Sequence, residues 1–284
     1  MTLEALAPRY RAIVEGCESF LVSYPGNWGA LDLAPFGLEI PKERRYSATT
    51  LASRDVVDGL HYLDAVTFGD QDMLMPRWVL FDCGEFPGIV YGFGKRAALL
   101  PDKLRRHYHV EDRDDAFVPL SMWVAIRCAE EGAWFGHNLS SANLLLEGDA
   151  RLPGLATLTK AFGIAVTRAD KQYGATQWDS SSIGLHLRLG EMRLLSAYTP
   201  AHTHPETLSY LITVDRARLA GCLAPGWKRP ALATERSIDA GDATAIRALH
   251  DELEAGARYE LVRAEPLEDP AGGSPTQRLH LRRC

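Results

Sequence analysis

A mixed α/β fold with a predominantly antiparallel central sheet flanked by helices is predicted by three features of this 284-residue chain. Apolar residues near the amino end recur at helical spacing. From Arg77 onward, β-branched and aromatic residues gather in short runs, and Gly- and Pro-bearing stretches separate those runs. Hydrophobic content of 46% and charged content of 24% are those of a globular chain. At this length it buries a substantial core as one large domain or two small ones.

Leu3, Leu6, Tyr10, Ile13, Cys17 and Phe20 define a first helix, with Thr2 as N-cap and Pro25-Gly26 as its stop. Asn27 to Tyr46 is rich in Pro and Gly and reads as irregular. A second helix starts from Ser53, with Val56, Leu60 and Leu63 on one face and Asp55 in its first turn. Arg77 to Cys83 and Ile89 to Gly94 read as the strands of a hairpin joined by Gly84 to Gly88. Pro101 to His109 gives a short helix, and the apolar run Pro119 to Ile126 a central strand. Pro153 to Gly163 fits a helix stopped by Gly163; Ile164 to Thr167 and Tyr173 to Trp178 are short strand candidates. Residues 180–189 stay open. They fit a helix capped by Asp179 or Ser180, or a strand in which Ile183, Leu185, Leu187 and Leu189 alternate. Met192 to Tyr198 and Thr207 to Val214 form a closing antiparallel pair. Beyond them lie a linker (Leu223 to Pro230), a helix (Asp242 to Leu253), an edge strand (Arg258 to Val262) and a polar, mobile segment from Glu265 to Gln277. This order suggests an N-terminal part over 1–48, a core over 49–215 and an extension over 216–284.

A net charge of −6 argues against non-specific nucleic-acid binding, which needs a basic footprint. No run approaches the ~20 apolar residues that span a bilayer. Thr2 to Ser23 alternates charged and apolar residues without the continuous apolar core of a secretory signal. The five cysteines are far apart, odd in number and free of Cys-x-x-Cys pairs. That usage suits a reducing compartment, and a cytoplasmic location is expected.

Val124 to Leu139 reads as a strand, a glycine-bearing loop and the start of another element. Such junctions present backbone N–H groups to phosphates. Within it, Gly136-His137-Asn138-Leu-Ser140-Ser141 concentrates imidazole, amide and hydroxyl groups. His137 is a candidate acid/base and Asn138 or Ser140 a candidate oxyanion donor; the same residues also suit an ordinary turn. Tyr173 to Asp179 packs amide, hydroxyl and carboxylate beside Trp178. His202-Thr-His204-Pro-Glu206 is a local metal-like cluster, for which a polar hairpin turn is the better reading, and no metal is expected. Ser140 and Ser181 lie in no G-x-S-x-G elbow, and no Walker loop or dinucleotide fingerprint is present.

Three stretches resemble the GCN5-related N-acetyltransferase (GNAT) superfamily. Leu80 to Phe93 is similar to its second and third strands, and Val124 to Leu139 to its fourth strand and pyrophosphate loop. Asp179 to Gly190 resembles its "N-x-x-A-x-x-L-Y-x-x-x-G-F" helix, with Asp179 in the Asn place and His186 in the Tyr place. The family loop is usually "Q/R-x-x-G-x-G/A". Val124 to Leu139 keeps Gly132 and Gly136, with Trp134 between them and Glu131 where a basic residue is usual. The resemblance implies a GNAT-like core and an acyl-CoA or acyl-carrier thioester as co-substrate. Ala125, Ile126, Gly132, Gly136, Asn138 and Ser140 would hold that co-substrate. His137 or a carboxylate near the strand ends would be the base and His186 the thiolate acid, with Asp179 a further catalytic candidate; the His186 role requires 180–189 to be a helix. The expected activity is acyl transfer to an amine of a small molecule. The alternatives are a non-catalytic module binding a small apolar ligand or protein partner, and a metal-dependent enzyme using His202 and His204.

Overall fold

The computed structural model describes residues 3–50, 53–71, 73–86, 88–267 and 276–284. The chain is mixed α/β and forms two contact units: Met1–Ala169 with Leu223–Gly226, and Asp170–Cys222 with Trp227–Cys284. Residues 48 and 215 each fall inside one of these units.

The first unit runs α1 (Pro8–Gly16), β1 (Glu18–Val22), β2 (Arg45–Tyr46), α2 (Arg54–Phe68), α3 (Arg77–Glu85) and β3 (Gly88–Arg96). It continues through α4 (Asp102–His107), β4 (Phe117–Pro119), β5 (Ser121–Arg127), β6 (Ala133–Ser141) and α5 (Leu155–Thr167). Its strands lie in the order β2-β1-β3-β5-β6, with β4 also paired to β3. β1 and β2 are parallel; the neighbours from β1 to β6 are antiparallel.

Register decides which helix meets which face, because residues paired across antiparallel strands point the same way. Val90, Val124 and Asn138 are paired across β3, β5 and β6, as are Tyr91, Trp123 and Leu139. Val90 meets α3 at Gly84, and Asn138 meets α2. On the opposite face Tyr91 stacks on Phe162 of α5 at 6.4 Å, and Trp123 lies against Gly163. Helices α2 and α3 therefore cover one face and α5 the other.

Several sequence expectations change here. The first helix ends at Gly16, and Phe20, Leu21 and Val22 are buried in a strand; the Thr2 cap lies outside the described residues. Arg77 to Cys83 is helix α3, not a hairpin strand. Its buried Leu80, Cys83 and Gly84 follow helical spacing, and packing of that stripe outweighs the β-propensity of Trp, Val and Phe. Helix α5 runs through Gly163 to Thr167 and absorbs the strand expected at Ile164 to Thr167.

The second unit contains β7 (Lys171–Gln177), α6 (Ser182–Leu189), β8 (Met192–Ser196), β9 (Thr207–Thr213) and α7 (Arg216–Gly221). After these come β10 (Arg236–Asp239), α8 (Ala243–Glu254), β11 (Tyr259–Leu267) and β12 (Thr276–Arg283). The strand order is β7-β9-β8-β11-β12-β10, with antiparallel neighbours throughout. Trp178, Ile183, Leu208, Ile246, Leu261 and Leu279 belong to its core, and the Trp178 indole donates to the Ala197 carbonyl at 2.7 Å. Residues 182–189 are helical, which settles the open alternative. Near the C-terminus of this helix the Leu187 carbonyl accepts from Arg218 at 2.9 Å, and in its first turn the Gly184 carbonyl accepts from Arg229 at 3.1 Å. The expected edge strand at Arg258 is β11, an interior strand between β8 and β12. Glu265 to Leu267 and Gln277 belong to the β11 and β12 strands, while residues 268–275 of the expected mobile segment lie outside the described residues.

Candidate active site

The run that reads as a strand and phosphate loop is a β-hairpin. Cys128 donates to the Ala133 carbonyl at 3.0 Å and Ala133 to the Glu130 carbonyl at 3.2 Å, so Glu131 and Gly132 sit in the turn between β5 and β6. Gly132 adopts φ 69° there, a left-handed conformation that a tight turn asks of glycine. Gly136 lies within β6 opposite Ala125, and Ile126 is opposite Phe135. None of these residues precedes a helix. Glycine here serves the turn and the strand, and Glu131 is exposed on the hairpin tip.

Where β6 passes α2, its register breaks. Ala125 faces Gly136, yet Val124 faces Asn138, so His137 is the extra residue of a β-bulge. The His137 side chain is exposed and Asn138 is buried. The Asn138 amide Nδ2 donates to Oδ1 of Asp64 on α2 at 2.8 Å, and Asp64 Oδ2 accepts the Met75 backbone N–H at 2.7 Å. The Asn138 oxygen is then left to accept, and its partner is Nδ1 of His137. That bond requires the proton on Nδ1, so neutral His137 carries its free lone pair on Nε2. Burial pushes the Asp64 carboxyl above its ordinary range, against the pull of the Met75 N–H, Asn138 and the nearby His61 and His137. His61 Nδ1 on α2 and Ser140 Oγ on β6 are among the buried polar atoms that have no hydrogen-bond partner among the described residues.

The loop leaving β6 folds on itself. Ser141 Oγ accepts from the Asn143 N–H, and the Asn143 side chain clasps Leu152, donating to its carbonyl at 2.7 Å and accepting its N–H at 2.9 Å. The loop ends at Gly154, the N-cap of α5, at φ 89° and with no side-chain cap on the first turn. The Leu155 N–H is taken by the Leu152 carbonyl at 3.0 Å, and this 13-residue helix, which has no side-chain cap, turns its positive dipole end toward any anion placed there. Arg151-Leu-Pro-Gly154-Leu-Ala156 fits Q/R-x-x-G-x-G/A at this true strand–loop–helix junction. The pattern is visible in the sequence; taking Pro153-Gly154 as helix punctuation hides it. Gly154 also has a packing role, since a Cβ there would come within 2.6 Å of Tyr10.

The remaining expected residues belong to the second unit. His186 is buried on α6 with its ring 5.4 Å from that of Tyr210, whose hydroxyl burial holds above the usual range. Asp179 is exposed in the turn before α6, and the N-cap position belongs to Ser181 rather than to Asp179 or Ser180. His202 and His204 occupy the β8–β9 connection. His202 Nδ1 accepts the His204 backbone N–H at 2.9 Å, which is turn chemistry. Among the described residues, no group of three or more His, Cys, Asp or Glu side chains is arranged to hold a metal ion.

No family model and no curated protein matches the sequence. Similar solved structures include the NatC complex bound to Gag peptide and CoA, at 12% identity and TM-score 0.42, covering 58% of this chain and 95% of that one. Another is the aminoglycoside 6'-N-acetyltransferase from Enterococcus faecium, at 11% identity and TM-score 0.31, covering 81% of this chain and 91% of that one.

Proposed function

We propose that the protein is an N-acyltransferase that moves an acyl group from a coenzyme A or carrier-protein thioester to an amine of a small molecule. The observation that carries this reading is the bulge of β6, where the Asp64–Asn138 chain fixes the proton on His137 Nδ1 and leaves Nε2 as a base. In the reaction the amine nitrogen bonds to the thioester carbonyl carbon and loses a proton to His137 Nε2. The C–S bond breaks, and the thiolate departs and is protonated. Farther along the same chain, Arg151 and the first turn of α5 are suited to the phosphates of the thioester carrier. His186 and Asp179 are kept as candidates to be tested by their own variants.

Thiol release from acetyl-CoA and longer acyl-CoAs, measured across a panel of amines, tests the proposal. His137→Ala is expected to lower kcat by roughly 100-fold with little change in KM for the thioester. Arg151→Glu should instead raise that KM. Both residues are exposed, but His137 bonds the buried Asn138 oxygen and Arg151 the Leu146 carbonyl, so the kinetic comparison is made well below each variant's thermal midpoint. Absence of amine-dependent thiol release and of stabilisation by any coenzyme A ester would sink the proposal.

A further inference from the structure

We propose that a groove in the first unit, bounded by the 48–50 turn and helices α2 and α3, binds an amphipathic monoanion of the alkyl- or aryl-carboxylate class. The groove has a volume of about 710 Å³, within the roughly 300–1,000 Å³ that small-molecule sites occupy. Val57 of α2 and Trp78 and Phe81 of α3 supply its apolar wall. The Trp78 ring is 68% exposed and Phe86, just past α3, is 61% exposed, a large apolar surface to leave in water. Phe81, Phe86 and Tyr24 extend the same aromatic surface, with ring centroids 6.2 and 6.3 Å apart.

Charge fixes the class of occupant. Arg54 and Arg77 line the groove; among the described residues Asp58 is the carboxylate that ion-pairs with both, while Asp55, which also feels the Arg54 charge, is paired with Arg113. Arg77 is in direct contact with Asp58, whereas Arg54 stands off at 3.9 Å with its side chain 71% exposed. One positive charge is therefore in surplus. It sits in the first turn of α2, where the dipole also favours an anion, and Asp55 of that turn is engaged by Arg113. The opposite wall is held in place by the buried Glu85, which accepts from the Ser47 hydroxyl and the Ala48 N–H, both at 2.8 Å. Thr49 and Thr50 add hydroxyls at the rim. A chain or ring on Trp78 and Phe81 with its carboxylate at Arg54 satisfies both features; a neutral or cationic ligand satisfies one.

Octanoate, with octanamide as its neutral match, is titrated into the full-length protein while indole fluorescence is followed. Octanoate should shift the emission to the blue, and Trp78→Phe, which leaves the other five tryptophans, should abolish the shift. Octanamide should bind at least about tenfold more weakly, as should octanoate to Arg54→Gln. Arg77→Gln should weaken binding less, and Asp58→Asn should strengthen it by freeing Arg77. Far-UV circular dichroism checks that each variant is folded. Equal binding of octanoate and octanamide, unchanged affinity in folded Arg54→Gln, or no response to millimolar octanoate would overturn the proposal. So would a Trp78 shift that follows protein concentration alone, which would assign the surface to a second copy of the chain. The assay contains neither thioester nor acceptor amine, so its outcome is independent of the acyl-transfer reading.

Discussion

Asp64 is a carboxyl group with no exposure to solvent, held by one backbone N–H and one amide. Desolvation outweighs these two bonds and raises its pKa on folding. The stability it contributes is therefore complete below the unfolded value near 3.8 and is lost as pH climbs through the higher folded value. Asp64→Asn cannot titrate, so the denaturant midpoint of the wild type should fall relative to that of the variant as pH rises from the unfolded value of 3.8 through the higher folded one. A difference that stays flat across that range would contradict the assignment. At this scale the sequence is informative about composition and silent about register. The concentration of polar groups at Gly136, His137 and Asn138 can be read directly. Their bulge cannot, because a bulge is a relation between two strands, and Asp64 lies 74 positions away from its partner.

Helix α5 shows how a sequence signal can be genuine and still be assigned to the wrong cause. Gly163 reads as a stop, yet its purpose is space. A Cβ at that position would lie 2.2 Å from Cε3 of Trp123, whose side chain is fully buried and cannot swing clear. Replacing glycine by alanine inside a helix ordinarily gains about 1 kcal/mol. Overpacking a rigid core costs about 1–3 kcal/mol, so Gly163→Ala should be net destabilising, as measured by urea unfolding; an unchanged or raised midpoint would refute the close-packing account. Helices α2 and α8 are legible because amphipathic spacing and packing agree. Helix α3 is misread because its β-favouring residues disguise a helical stripe that only burial reveals.

For the whole molecule, the division into two units can be followed through its thiols. Cys83 is buried in the first unit, Cys222 in the second, and Cys284 is exposed. Burial pushes Cys222 up to about 11 and also raises Cys83. At neutral pH an aromatic disulfide reagent should therefore modify Cys284 first. Cys83 and Cys222 should react only through opening of their own unit, so peptide-resolved mass spectrometry in sub-denaturing urea reads each unit separately. Modification of Cys222 as fast as Cys284 in the absence of urea would overturn this. The mixed α/β class is legible from the sequence. The boundary at 169/170 is not, because it falls between a helix and a strand without any Pro/Gly linker to mark it.

The bulge on β6 has one more consequence. Asn138 already pairs with Val124, and Gly136 with Ala125, so excising His137 would heal the ladder without turning any neighbouring side chain to the opposite face. The strand pairing therefore does not depend on the histidine, whose tie to the scaffold is the single bond between its Nδ1 and the Asn138 oxygen.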